Sequence, residues 1–586
     1  MSVTGIDPEA SHPPLRVIVG ITVVLALVFA CITAPYYLFG SDSARYVALG
    51  RSLANGGGYL YFGQPERYFP PGFPLVLAPV ALLLGDSFAP MARWAAIVGA
   101  FVFPAAYAFA RTRTAALPVA LLTISSAGFL DLIIGNPRSE PIYMVGSLGL
   151  LAWAHQGADR PARSGRSAGY TAAGTVLLLM SVATRAIGIA AVGAVAMVLL
   201  ERMVRPDRGS RRLPSELLIP LVAAVVFLVL WFAWTRGAPD VDADPRIRGS
   251  YLHHMLLMDP HRPELGRALP IAFLSRALHN LGIQLSHAAE LLTQLPWLKP
   301  RWFSPFAVAV LGLTLTGLWT EMRRPSRLAA WYFLAYGAIL LFWPYDEGTR
   351  FLVPILPLLW VFAIGGARTA LAAVSAGSKR LRLGLIVVGS ICLLGAAVRF
   401  LSRRDDFSHQ DQAFGLVWLL ILGIAVFGWA RAAAWTGAAS RHLGRATLIG
   451  ALTLYAAAGV ARTVPRIAAQ YRGGGLVDPV TNALREASGW ITGNTPPGSK
   501  IQTSFPIPIL FATGQKAVQF PITSSPAQLR QYVELYRPDF LIVLRDTDHP
   551  YYQPVDSEKF AIVQALFPGA WREVARLRGS IIYAFR

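Results

Sequence analysis

Five short polar stretches interrupt an otherwise apolar chain, and they hold the residues able to do chemistry. They are "SDSARYVALG" at 41–50, "QPERYFPPGFP" at 64–74, "NPRSEP" at 136–141, the pair Thr184-Arg185, and "PYDEGTRFLVP" at 344–354. A carboxylate such as Asp42 or Glu140 can take a proton from an attacking hydroxyl. Arginine presents a planar fork of donors that matches phosphate, so Arg67, Arg185 and Arg350 are candidate anion holders. Asp346 and Glu347, with Glu140, supply oxygen ligands of the kind a divalent cation prefers. Plainer roles exist for the same residues. Ser41 or Asp42 can cap the helix "SARYVALGRSLA". Glu140 can cap the next helix, with Pro141 at its first position. Arg45 and Arg51 can snorkel along an interface, and Arg350 can be an interfacial anchor. His253, His254 and His261 show no H-x-x-x-H or similar ligand spacing and read as solvated or structural. The "GGG" runs at 56–58 and 473–475 do not follow a strand as a dinucleotide loop must.

The elements that position these residues belong in a membrane. The chain has 586 residues, 54% of them hydrophobic and only 15% charged, with a mean hydropathy of +0.47. Soluble chains carry about 25% charged residues. The net charge of +21 fits the excess of Lys and Arg in cytoplasmic loops of membrane proteins better than a nucleic-acid partner, so no nucleic acid is expected. Cys31 and Cys392 both lie in apolar segments, which argues against a disulfide framework. The N-terminal apolar run is too long for a cleaved signal, and no clear cleavage site follows it.

A span needs roughly 20 apolar residues. Taking the basic loops 111–113, 159–166, 201–212, 321–327, 378–382 and 441–445 as cytoplasmic predicts about 13 spans: 15–39, 88–110, 115–134, 141–156, 168–183, 186–200, 213–235, 304–320, 328–343, 351–372, 383–399, 412–431 and 446–462. The segment 73–85 then lies in the outer interface or re-enters it. Segment 399–411 falls outside despite its arginines. The N-terminus is expected inside and the C-terminus outside, with a first outer loop at 40–87 and a second, large one at 236–303. All five polar stretches then sit on the outer side.

Residues 463–586 read as a separate outer domain. "KIQTS" and "AVQFP" suit strands, "SSPAQLRQYVELY" a capped helix, "DFLIVLRD" a buried strand and "SIIYAF" a last strand. The expected architecture is a mainly α polytopic membrane protein, residues 1–462, followed by a small α/β domain.

These motifs resemble a known family. "DSARYVALGRSLANGGGYL" followed by "RYFPPGFPLVLAP" is similar to the first outer loop of the GT-C glycosyltransferases, in the branch with protein O-mannosyltransferases and the lipid A aminoarabinose transferase. "RSEPIY" at 138–143, "TRAIGI" at 184–189 and "TRFLVPILPLL" at 349–359 resemble later motifs of that branch. "WITGNTPPGSKI" and "LFATGQKAV" resemble its outer α/β domain. The resemblance implies an inverting sugar transfer on the non-cytoplasmic face, expected to be the outer side of a bacterial inner membrane. The donor would be a polyprenyl-phosphate sugar and the acceptor a lipid, protein or polysaccharide. Asp42 matches the family's catalytic aspartate, though Ser43 stands where many relatives have Glu, and Arg67 matches the basic residue before the proline pair. On this reading Asp42 is the base and Glu140 the second catalytic carboxylate. Arg67, Arg185 and Arg350 hold the donor phosphate. Arg45, Tyr46, Tyr68, Asp346 and Glu347 contact sugar or acceptor. No cofactor is required, with a divalent cation left open.

Rival readings are a transporter or lipid flippase, a polysaccharide polymerase or ligase using loop 236–303, and a non-catalytic scaffold. A transporter would place ionisable groups near the midplane, whereas here they cluster at helix ends.

Overall fold

Pro14 opens the first helix, Leu15–Ile32, which beyond Arg16 in its first turn carries no charge and is apolar on nearly every side. Leu15, Val23, Val24 and Leu27 all point away from the protein, which only a lipid environment makes favourable. Its two hydroxyls are satisfied inside the helix, Thr22 on the Ile18 carbonyl and Thr33 on the Phe29 carbonyl, as a dry environment demands. The helix stops seven residues short of the expected end at 39, because the chain turns extended at Thr33, just ahead of Pro35, which disfavours helix in the residue before it.

The structure is a computed structural model. It describes residues 13–111, 116–158, 168–204, 215–237, 251–259, 265–294, 305–324, 326–375, 455–468, 479–521, 525–545 and 555–586, with 113, 450 and 453 between them. The expected spans 383–399 and 412–431, segment 399–411, His261 and the basic loops 159–166, 378–382 and 441–445 lie outside the described residues.

Among the described residues five helices are long and apolar enough to cross a membrane: Leu15–Ile32, Phe88–Ala110, Ala186–Val204, Ser215–Arg236 and Val353–Ala370. The pair Ala116–Ser125 and Ala127–Ile134 is a sixth candidate, bent by 55°. Ser126 causes the bend by capping the second half, its Oγ accepting the Phe129 N–H at 3.1 Å. The helices Glu140–Ala158, Ala168–Thr184, Pro305–Met322 and Leu328–Phe342 lie at four more of the expected spans, and residues 455–462 of the span expected at 446–462 are helical. Helix Gly72–Leu84 packs along Ser41–Ala54 and covers the segment 73–85 that was expected to lie in or re-enter the outer interface. The large loop contains a helix that periodicity did not reveal, Pro270–Thr293. Its second half is buried while Ile271, Leu274 and Leu278 stay exposed.

Three of the basic segments meet at one end of the bundle. Arg113 donates to Glu321 at 2.8 Å with both side chains buried, Arg324 pairs with Glu321 at 3.1 Å, and Arg327 reaches Glu201 at 2.9 Å. Arg113 and Arg327 thereby tie three of the segments expected to be cytoplasmic to one another.

The C-terminal residues form a five-stranded sheet in the order Lys516–Gln519, Lys500–Thr503, Phe540–Leu544, Ser580–Phe585, Trp571–Arg576. The first three strands run parallel and the last two pair antiparallel. All four expected strands and the helix Pro526–Tyr536 are present. Strand Trp571–Arg576 and helices Pro479–Asn494, Pro506–Thr513 and Asp556–Leu566 are additions. Ile491, Ile501, Ile509, Ile542 and Ile582 form one face of the core.

Candidate active site

Asp42 enters the site on the first turn of the helix Ser41–Ala54. The N-cap of that helix is Gly40, and no side chain caps it, so the capping role open to Ser41 and Asp42 is not the one they play. The segment before the helix is stitched to the end of the bent span pair. The Ala34 N–H donates to the Ile134 carbonyl at 3.0 Å, and Asn136 Oδ1 accepts the Leu38 N–H at 2.9 Å. These bonds set the start of Ser41–Ala54 beside Arg138, Ser139 and Glu140.

Glu140 opens the helix Glu140–Ala158 and is fully buried. Its Oε1 accepts from Arg185 Nη1 at 2.8 Å and from Arg350 Nε. Arg185 comes from the turn between two short spans. That turn is tight because a Cβ on Gly188 would collide with the Ser181 carbonyl oxygen, and one on Gly72 would meet the Ala183 carbonyl oxygen at 2.6 Å. Only glycine permits either approach. Arg185 Nη1 also donates to Ser139 Oγ at 3.0 Å, and Ser139 Oγ lies 3.0 Å from the Tyr46 hydroxyl.

Arg350 rides on the short turn Gly348–Phe351. Asp346 shapes that turn by accepting the Gly348 N–H at 2.8 Å, and it meets His287 Nε2 at 3.0 Å. The Tyr336 hydroxyl anchors the far end on the Phe351 carbonyl at 2.7 Å. So held, Arg350 reaches three acids: Glu140, Asp42 at 2.6 Å and Glu347 at 3.4 Å. The acids differ in access. Glu140 is sealed, whereas the Asp42 side chain is 32% exposed and that of Glu347 39%.

Electrostatics separates the two open acids. Burial pushes the Asp42 carboxyl up, but the Arg350 charge, its hydrogen bond and Arg138 outweigh this and hold it below its ordinary value. For Glu347 burial prevails over Arg350, and its carboxyl is raised. Arg138 is lowered, first by burial and then by the like charge of Arg350. Among the described residues no carboxylate lies within ion-pair distance of Arg138.

The remaining predicted residues form the wall. Arg45 is buried, 3.7 Å from Glu66, with its guanidinium over the rings of Tyr61 and Phe69. Tyr46 is buried against Phe69 and Phe73, and its hydroxyl is used by Ser139. Glu66 accepts the N–H groups of Arg67, Tyr68 and Phe69 at 3.0, 2.7 and 3.2 Å, which fixes the turn carrying Arg67 and Tyr68. Tyr68 is raised by burial and feels the charges of Tyr345, Asp42 and Glu347. Thus Asp42, Glu140, Arg185, Arg350, Glu347 and Tyr68 come together, while Arg67 lies on the neighbouring turn. Sequence reasoning passed over Arg138, Ser139 and Glu66, and it read His254, whose Nδ1 sits 3.1 Å from the Tyr345 hydroxyl, as solvated or structural. Only the placement of Arg138 and Ser139 inside "NPRSEP" hinted at two of them. Among the described residues no three His, Cys, Asp or Glu side chains are grouped so as to share a metal ion. The acids here are instead matched by Arg350, Arg185 and His287.

The architecture matches known structures. ArnT from Cupriavidus metallidurans bound to undecaprenyl phosphate is similar at 18% identity over 97% of this chain and 98% of that one, with a TM-score of 0.52. The apo oligosaccharyltransferase from Archaeoglobus fulgidus is similar at 11% identity over 90% of this chain and 69% of that one, with a TM-score of 0.51. The chain shares its fold with these two structures. The apo form of the same ArnT aligns over 97% of this chain and 98% of that one, at 17% identity and a TM-score of 0.52. No protein-family model and no curated protein sequence matches. In this chain the acids and arginines of the site come from four separate segments, at 42, 138–140, 185 and 346–350, all at one end of the helix bundle.

Proposed function

We propose that the chain is an integral membrane glycosyltransferase that moves a sugar from a polyprenyl-phosphate donor to a hydroxyl acceptor, with inversion. The observation that carries this reading is the partnership of an open carboxylate, Asp42, with Arg350, beside a second arginine, Arg138, that among the described residues has no carboxylate within ion-pair distance. A lipid-linked donor accounts for a charged site at the ends of apolar helices, since the isoprenoid stays in the bilayer while the sugar reaches the cavity.

The acceptor hydroxyl attacks the anomeric carbon, and the bond from that carbon to the phosphate oxygen breaks. The lipid phosphate leaves with the bonding pair, and the hydroxyl proton passes to Asp42. The leaving group is already a stable anion, so it needs positive charge rather than an acid. Arg138 and Arg350 supply that charge, with Arg67 and Arg185 nearby. Glu140, sealed between Arg185 and Arg350, takes the positioning part. A phosphate drawing on Arg350 weakens its hold on Asp42, and the carboxylate becomes a better base when the donor is present. Arg45 and Tyr46 shape the wall, while Tyr68, Asp346 and Glu347 face the sugar or acceptor. The ArnT neighbour was determined with undecaprenyl phosphate bound, which supports the donor class.

Glu347 is a second candidate base, favoured by its exposure and raised carboxyl. Sugar transfer by purified Asp42→Asn and Glu347→Gln separates the two. The wider test is mass spectrometry of lipid-linked sugars and envelope glycans with and without the gene. Accumulation of one polyprenyl-phosphate sugar on deletion is expected, and unchanged pools of both would reject the reading.

A further inference from the structure

A pocket of about 530 Å³ lies between the first-loop helix and the C-terminal domain, lined by Tyr36, Tyr37, Phe39, Phe511, Arg51 and Arg485. None of the acids and arginines of the candidate active site borders it. Its volume falls within the range of small-molecule sites, about 300–1,000 Å³. Its walls come from two parts of the chain. Tyr36, Tyr37 and Phe39 follow the first span, Arg51 sits in the last turn of Ser41–Ala54, and Arg485 and Phe511 belong to helices of the C-terminal domain.

The two arginines are placed alike. The Arg51 guanidinium stacks on Phe511 at 5.0 Å and that of Arg485 on Tyr36 at 5.1 Å. Stacking holds the cation by its face and leaves its N–H edges for hydrogen bonds. Arg51 Nε and Arg485 Nη2 are buried, and among the described residues neither has an acceptor. A buried donor left unsatisfied costs stability, so each favours an incoming oxygen. No acid lines the pocket. Burial lowers the Arg51 guanidinium, and the charge of Asp86 does not make this good. Tyr37 packs against Phe511 at 4.7 Å and Phe39 at 5.1 Å, giving flat apolar walls suited to the C–H face of a ring.

We propose that this pocket binds an anionic saccharide, a sugar ring bearing a carboxylate or phosphate, and that it is a subsite for the acceptor. The arginine edges take the anion and the aromatic walls take the ring. Arg51 lies nine residues beyond Asp42 on one helix, two and a half turns and about 13 Å along its axis, so only an acceptor of several sugar units that passes round the helix reaches both. The acceptor role rests on the glycosyltransferase reading, but the binding itself does not.

The test uses the full chain in nanodiscs of zwitterionic lipid, with calorimetric titration of glucuronic acid and glucose 1-phosphate. Glucose and inorganic phosphate are the controls. Saturable binding of both acidic sugars is expected, weakened about tenfold in Arg51→Gln and in Arg485→Gln, the loss of one charged contact each. Phe511→Leu should weaken sugar binding similarly, and Asp42→Asn should leave it unchanged. Melting temperatures close to wild type certify the fold of each variant. Because the two arginines stand on different elements, misfolding of one variant leaves the other to decide. Equal affinity for inorganic phosphate, or undiminished binding in both arginine variants, would overturn the proposal. So would displacement of the sugars by phosphatidylglycerol added to the discs, which would make the occupant a lipid headgroup. If wild type binds these sugars yet transfers nothing, the pocket stands and the enzymatic reading fails.

Discussion

Asp42 Oδ2 and Arg350 Nη2 meet at 2.6 Å across 308 residues of sequence, and the same guanidinium holds Glu140 from its Nε. One arginine therefore serves an open carboxylate and a sealed one. Replacing Arg350 by Gln should damage both stability and transfer. Glu140 would keep Arg185 but lose its second cation, and uncompensated buried charge costs up to about 3–5 kcal/mol. Arg350→Lys keeps the charge but cannot serve three acids in a fixed fork. Melting temperature should fall in the order wild type, Lys, Gln, and donor affinity should fall about a hundredfold in the Gln variant. A Gln variant with wild-type melting and donor affinity would remove Arg350 from both roles.

Gly188 offers a test that touches no charged group. A Cβ there would collide with the Ser181 carbonyl oxygen and meet the Val182 Cα at 2.8 Å. Gly188→Ala must open the turn and displace Arg185. Misplacement of about 1 Å can cost about a hundredfold in rate, so transfer should fall about tenfold or more. Gly193→Ala, with nothing within 4 Å of its added carbon, should be nearly silent. Equal activity of the two variants would show that the turn has slack.

How far the sequence discloses this site follows from what each residue does. Asp42, Glu140, Arg185 and Arg350 were legible because charge at the end of an apolar helix stands out, and the charge rule put them on one side. The long apolar runs fixed Ser215–Gly237 almost to the residue. Arg138 was not legible as the anion holder proposed here, because what sets it apart, that among the described residues no carboxylate lies within ion-pair distance, is defined only by tertiary structure. Glu66 works through backbone N–H groups that any sequence supplies. Helix Pro270–Thr293 was hidden because its buried half, from Ser286 to Thr293, includes His287 and Glu290, so polar residues break the apolar stripe. Strand Trp571–Arg576 carries charges on its exposed edge positions, as edge strands often do, and so does not alternate as a half-buried strand would.

The two open acids should respond oppositely to pH. Asp42 is held below its ordinary value, so its contribution to stability is complete above about pH 4 and is lost only as pH falls through its lowered value. Glu347 is raised above the ordinary 4.5, so the native state binds its proton more readily than the unfolded chain, and stability falls as pH rises through the window above that value. Glu347→Gln should therefore gain melting temperature relative to wild type as pH is raised from about 4 to about 7. The gain should be small, under about 1 kcal/mol, because the side chain is 39% exposed and solvent screens it. A gain that instead shrinks on raising pH would show that the Arg350 pair governs Glu347.

In the C-terminal domain the fully buried Lys559 pairs with Asp556 at 2.7 Å, and its Nζ donates to Ser504 Oγ at 3.0 Å. Ser504 in turn donates to Asp556 at 2.6 Å. Lys559→Met should cost about 3–5 kcal/mol by stranding Asp556. Lys559→Met with Asp556→Leu should recover much of it, since no buried charge remains. Limited proteolysis of residues 479–586 in the intact chain reads both. A double variant as labile as the single one would show that the network sets the packing and not only the charge balance.

The role of Asp42 is decided by its neutral isostere. Gly40, not Asp42, is the N-cap of Ser41–Ala54, so neither Asp42→Asn nor Asp42→Ala should forfeit the roughly 1 kcal/mol that a cap contributes. The asparagine of the first variant can still accept a hydrogen bond from Arg350, but it cannot take a proton at neutral pH. Transfer by Asp42→Asn in nanodiscs should fall by about 10² to 10⁴, with melting temperature nearly unchanged. Donor affinity should hold or rise, since Arg350 is then released from one carboxylate and is freer to meet phosphate. That combination, lost turnover with undiminished donor binding, is what a base produces and a structural acid does not. Were Asp42→Asn to turn over as wild type while Glu347→Gln did not, the proton would pass to Glu347, and Asp42 would serve only to orient Arg350.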